Sequence, residues 1–143
     1  SEAALGLTRW CETSQRVNRY MRWAGAYGIQ FHYAHLLAGG EADWRHFYTS
    51  NLSLKTAQLR AHPFAEDFPG AAIEDIELGY RLQHGPGLRM RFLPDAVVDH
   101  VHPMTFRGGC RRQETVGACT LLFDRMRGHD QSGRLRTTGW HRW

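Results

Sequence analysis

Between residues 73 and 102 the apolar pattern changes period, and that change limits what this chain can fold into more than any other feature. Ile73, Ile76 and Tyr80 recur at helical spacing, with Leu78 and Leu82 as a second apolar row, so residues 73–83 read as a helix. Gly85-Pro86-Gly87 stops it. Leu88 to Leu93 then alternates with period two, Pro94-Asp95 makes a turn, and the β-branched run Ala96 to His102 gives a second strand. A helix followed directly by strands must bury its stripe against a sheet, which makes the fold class α/β. Two strands make a poor sheet. A further strand is therefore expected, either from an early segment or from residues outside this chain.

The other elements are read around that unit. Residues 8–23 are expected to be helical, with Thr8 as N-cap, and a partly helical stretch is expected around Phe31 to Leu37. A short helix follows near Lys55 to Ala61, stopped by Pro63, and residues 62–72 form a Pro- and Gly-containing loop. A long helix is expected over Arg111 to Arg127, and residues 130–143 read as a loose tail that Trp140 and Trp143 tie down. The organisation is one domain over 1–143, with a helical connecting segment at 1–46, the chemistry-bearing segment at 47–129 and the tail behind it.

Charge enters because it is carried so unevenly. The net charge is +4, and Lys55 is the only lysine, so the basic surface is almost wholly arginine. Arginine grips phosphate and carboxylate with a planar fork, which suits phosphate-bearing ligands, nucleic acid or anionic lipid; coding bias produces the same composition. Cys11, Cys110 and Cys119 form no C-x-x-C pair and read as reduced thiols. The sequence shows neither a signal-like apolar leader nor a stretch long enough to span a bilayer, so the expected location is cytoplasmic, with association at the inner membrane face left open.

Three groups of residues can carry chemistry. On the 73–83 wheel, Glu74, Glu77 and Arg81 share one polar stripe, and Glu77 and Arg81 have ion-pair spacing. Asp75 falls outside that stripe, beside Gly79 and Leu82; it either caps the first turn or has a task of its own. His100 and His102 project to one face of a strand, where they either share a metal or sit as ordinary surface groups. Arg107, Arg111 and Arg112 surround Gly108-Gly109 ahead of the long helix, as a phosphate-holding turn or a solvated loop.

Taken in order, these segments resemble the family 2 glycosyltransferases of the inverting GT-A type, specifically their acceptor-side C-terminal half. Residues 47–55 (FYTSNLSLK) are similar to the family's "NlSlkr" segment, residues 64–68 (FAEDF) stand where "gFDE.F" is usual, and residues 74–82 (EDIELGYRL) match "EDtELgyRl". Residues 94–100 (PDAVVDH) match the strand that delivers a histidine. The resemblance implies a partial GT-A (nucleotide-diphospho-sugar transferase) fold, a small sheet with flanking helices. It also implies transfer of a sugar from a nucleotide-sugar donor to an acceptor hydroxyl with inversion. By position Asp75 is the base and Glu74 its orienting neighbour, Asn51 shapes the acceptor side, and Arg107, Arg111 and Arg112 neutralise the leaving diphosphate. His100 contacts a divalent metal, Mg or Mn, expected in the complete enzyme.

One departure qualifies the resemblance. Family members carry a D-x-D metal motif in a nucleotide-binding half that precedes these segments, and no D-x-D occurs here. The chain therefore reads as a fragment that does not turn over sugar nucleotide alone, and its open sheet edge favours a homo-oligomer. The competing readings are a basic nucleic-acid-binding module, with Trp and Tyr interleaved among arginines, and an anionic-membrane-binding module built on the final helix and Trp-rich tail.

Overall fold

The computed structural model describes residues 2–26, 30 and 32–128. It is a mixed α/β arrangement of a small three-stranded sheet with flanking helices. The elements are β1 (Glu2–Trp10), α1 (Arg19–Ala26), α2 (Ala34–Leu37), β2 (Leu52–Ser53), α3 (Thr56–Ala61), α4 (Glu74–His84), β3 (Arg89–His100) and α5 (Phe106–Arg127). The sheet order is β2-β1-β3, with β1 antiparallel to β2 and parallel to β3.

The missing strand comes from the early segment, which corrects the first part of the expected helix over 8–23; residues 19–23 are helical as the start of α1, and α2 lies within the partly helical stretch expected around 31–37. Residues 8–10 are the end of β1, the central strand. The run EAALGLTRW gains its ladder from the twelve-residue β3 beside it, and this tertiary pairing overrides the local helical pattern. Thr8 is not a cap: it is 2% exposed and its hydroxyl meets that of Ser50 at 3.0 Å. The helix start lies instead at Asn18, whose Oδ1 accepts from the Met21 amide at 2.9 Å.

Pro94-Asp95 does not separate two strands. β3 runs continuously to His100, and residues 94–96 are extra, because Leu93 pairs with Gly6 and Val97 with the next residue, Leu7. The irregularity takes Pro94 out of the ladder it cannot donate to. Asn51 repairs the backbone there: its Nδ2 donates to the Ala96 carbonyl at 2.8 Å and the Leu7 carbonyl at 3.2 Å. A Cβ on Gly6 would lie 2.2 Å from Asn51 Nδ2 and 2.3 Å from the Ala96 oxygen, so only glycine fits at the junction.

The long helix begins five residues earlier than expected. Thr105 caps it by accepting from the Gly108 amide at 3.1 Å. Arg107, Gly108, Gly109, Arg111 and Arg112 therefore lie in α5, not in a loop ahead of it. Gly109 is there for packing, since a Cβ would come 1.8 Å from Tyr20 Oη on α1. The predicted tail and Phe31 lie outside the described residues.

The core sits where α4 meets the sheet. Leu78 and Leu82 are fully buried and pack with Ala3, Phe47 and Leu88; Leu5 packs with Tyr33 and Leu36 on α2; and Trp44, Ile76 and Phe123 join α4 to α5. Glu77, expected on a polar stripe, is 0% exposed inside this packing. The helix-spaced pair to Arg81 does form, at 2.8 Å, and Arg127 at the end of α5 binds the same carboxylate. Arg81 also donates to the Pro63 carbonyl at 2.6 Å, so one buried carboxylate ties α4, α5 and the 62–72 loop together.

The turn before Phe47 is held by Asp43, which accepts from the Arg45 amide at 3.0 Å and from the His46 ring at 3.0 Å. Burial alone would raise the Asp43 carboxyl, but bonds from His46 and Arg45 outweigh it and hold it well below the usual carboxylate range. Asp43→Ala should lower the unfolding free energy by about 1–2 kcal/mol, the worth of a cap with charge-assisted bonds, seen as an earlier urea midpoint at unchanged slope. A midpoint equal to the wild type would mean the turn holds without it.

Candidate functional site

The first turn of α4 places two adjacent carboxylates at the point where the 49–51 turn crosses the sheet. Ile73, just before it, adopts φ 70°, a left-handed conformation that is strained for a β-branched side chain. Such strain persists where the surroundings fix the backbone, and here it immediately precedes Glu74 and Asp75. Asp75 Oδ1 accepts from the Ile76 amide at 2.8 Å. Burial, and next the charge of Glu74, push the Asp75 carboxyl up to about 6, while bonds from backbone groups at Ile76 and Thr49 pull partly back. A carboxyl so placed is mostly ionised at neutral pH yet far more basic than an exposed aspartate.

Glu74 faces the other way, toward α5. Its Oε2 is buried with no hydrogen-bond partner, and its charge, after burial, raises the Cys119 thiol while Arg112 opposes that shift. Glu74, Arg112 and Cys119 therefore share one environment, and Arg112 further donates to the Ala71 carbonyl just ahead of the helix. Of the three arginines expected to act together, only Arg112 reaches this region. Arg107 and Arg111 lie on the exposed side of α5 and make no ion pair among the described residues.

His100 stands at the end of β3, half-buried beside Trp10 with ring centroids 5.6 Å apart and beside His102 at 5.6 Å. Burial, with His102 next to it, lowers its imidazole. Gln15 links the two residues, donating to the His100 carbonyl at 2.6 Å and accepting from the His102 amide at 2.9 Å. Two imidazoles fall short of the three or four ligands a metal centre needs. Among the described residues no group of three or more His, Cys, Asp and Glu side chains is placed to hold a metal ion.

Asp75 and His100 have no neighbour in common among the contacts above. What relates them is the sheet. Asp75 reaches it through Thr49 and Ser50 to Thr8, and His100 pairs with Trp10 two residues on, so both stand at the carboxyl ends of the parallel strands β1 and β3. That end of an open α/β sheet is where ligands bind. A cavity of about 760 Å³ opens there, lined by Thr8, Trp10, Tyr33 and the Arg9–Asp99 pair among others. Neither Asp75 nor His100 lines it. Tyr33 meets Tyr48 edge to face at 5.7 Å, and the Tyr48 phenol is pushed up by burial, by Tyr33 and by Asp75, so this tyrosine layer stands between the cavity and Asp75.

Tyr48, Thr49 and Cys119 were not singled out from the sequence. The first two adjoin Asn51 in the FYTSNLSLK segment, and only their contact with α4 gives them meaning; Cys119 is one helical residue among many until α5 is docked. Asn51 was singled out, and the structure gives it the strand junction described above.

Comparison with known proteins gives a short, high-identity match. Over 48 residues, 33% of this chain, it is 52% identical to validoxylamine A glucosyltransferase of Streptomyces hygroscopicus subsp. jinggangensis (strain 5008), and to the same degree to that of Streptomyces hygroscopicus subsp. limoneus. The matched stretch spans 11% and 10% of those relatives. No family model and no solved structure matches the chain. The similarity is to glycosyltransferases. No helix among the described residues is long and apolar enough to cross a membrane.

Proposed function

We propose that this chain is the acceptor-side part of an inverting glycosyltransferase of family 2 and GT-A type, with Asp75 as the base. The observation that carries the reading is the environment of Asp75: a half-buried carboxyl beside a second carboxylate, behind a strained Ile73 and against the 49–51 turn that meets Thr8 near the carboxyl end of β1. Asp75 takes the proton of the acceptor hydroxyl as that oxygen bonds to the anomeric carbon. The bond from that carbon to the diphosphate oxygen breaks on the opposite face, its electron pair leaves with the nucleoside diphosphate, and configuration inverts. Glu74 keeps Asp75 basic by its charge. Arg112, which shares the surroundings of Glu74, is the arginine of the three assigned here to balance negative charge.

A divalent metal is expected in the complete enzyme, but the His100–His102 pair does not form a metal centre from this chain's described residues. The relatives' names suggest glucose as the first sugar to try, supplied on a nucleotide, and validoxylamine A as the first acceptor.

The test is the pH profile of transfer by the expressed gene product that carries this chain. The base acts only when ionised, so kcat/KM should fall as pH drops through about 6, the position set by burial and Glu74. A profile flat from pH 8 down to about 4, where an ordinary aspartate titrates, would remove Asp75 from the base role.

A further inference from the structure

The two arginines left out of the catalytic region belong to a different surface. Phe106, the first residue of α5, is 68% exposed, and Trp23 on α1 is 40% exposed. Tyr20 lies between them, with ring centroids 5.6 Å from Phe106 and 5.7 Å from Trp23, so three aromatic rings run continuously across the junction of the two helices. Arg19 sits one turn before Trp23 on the same exposed side, with Arg16 just ahead of the helix; Arg107 follows Phe106, and Arg111 comes one turn later. All four arginines are exposed and make no ion pair among the described residues. The acids nearest in sequence to these arginines are Glu12, already paired with Arg22 at 2.7 Å, and Glu114 on α5.

We propose that this aromatic run and its four arginines dock the protein on an anionic lipid surface, with Phe106 and Trp23 entering the headgroup layer and the arginines meeting lipid phosphates. Exposing a phenylalanine and a tryptophan on one patch costs free energy in water that burial at an interface recovers. Aromatic rings flanked by cations suit a membrane interface, where one end is apolar and the other wet. A single-stranded nucleic acid needs a basic groove that tracks its backbone, and none of these seven residues lines the cavity at the strand ends. The site is separate from Asp75, so it stands whether or not the transferase reading does.

Cys110 gives a local reporter: it is exposed one turn after Phe106, while Cys11 and Cys119 are buried. An environment-sensitive fluorophore on Cys110 should shift to the blue with vesicles of phosphatidylglycerol and phosphatidylcholine, and not with phosphatidylcholine alone. Each arginine near such a surface is worth roughly five-fold in partitioning, so Arg107→Gln with Arg111→Gln should weaken binding about 25-fold at low salt. Phe106→Ser should weaken it at least roughly ten-fold, without lowering the melting temperature, since the ring is mostly exposed. Arg60→Gln, on the exposed side of α3, should leave binding within about two-fold, as one charge outside the patch. Absence of vesicle binding, equal loss from Arg60→Gln, or binding confined to a single-stranded oligonucleotide would each overturn the proposal.

Discussion

Glu77→Ala should lower the unfolding free energy by about 3 kcal/mol, near the lower end for breaking a buried charge cluster from one side. The carboxylate is fully buried and holds Arg81 through both oxygens, at 2.8 and 3.0 Å, and Arg127 through one. Removing it leaves two guanidinium groups facing each other across the space it filled. Their side chains are 22% and 24% exposed, so partial rehydration keeps the loss toward the lower end. The same change frees the end of α5 from α4, so near-UV circular dichroism from the Trp44–Phe123–Tyr80 group should weaken with the stability. Arg127→Ala should cost less, because Arg81 still satisfies the carboxylate. A Glu77→Ala midpoint within about 1 kcal/mol of the wild type would mean that the cluster does not hold the helices together.

Asp75→Asn should act in opposite directions on rate and on stability. In the role of base proposed for it, Asp75 would account for a rate factor of roughly 10²–10⁴, and the amide cannot take the proton. The amide can still accept from the Ile76 N–H, and it removes a charge from a site that resists charge. The folded carboxyl titrates at about 6 and the unfolded one at 3.8, so the folded form holds the extra proton between those values. This group's contribution to stability is therefore whole below pH 4 and is lost as pH rises through 6. At pH 7 the amide variant should be more stable than the wild type by up to about 2–3 kcal/mol, with the difference gone near pH 4. Slower transfer with lower stability would instead mark Asp75 as a structural residue whose loss damages the fold.

How far the sequence could be read depended on whether local pattern or distant pairing decided each element. The helices at 56–61 and 74–84 and the 88–93 strand follow from periodicity and from Gly and Pro breaks within a few residues of them. β1 does not, because Glu2–Trp10 is a strand only through its pairing with β3, nearly ninety residues later, and Thr8 reads as a cap until Ser50 is seen against it. The 94–96 irregularity has the letters of a turn, and only the register beside Gly6 shows the chain passing straight through it. At the candidate site, Asp75 stood out on the helical wheel as the acid outside the polar stripe, and its burial agrees with that. Glu77 did not stand out as buried, since ion-pair spacing to Arg81 looks the same on a solvated helix, and Arg127 lies fifty residues away. The arginines at 107, 111 and 112 are close in sequence, but helical twist sends Arg112 toward Ala71 and leaves the other two at the surface.

The most direct test is the titration of a single group. With aspartate labelled at its side-chain carbon, the ¹³C resonance that disappears in Asp75→Asn reports this carboxyl, and it should titrate with a midpoint near 6. A midpoint at or below the ordinary 3.8 would show a solvated acid with no special basicity, and the assignment of Asp75 as the base would be contradicted.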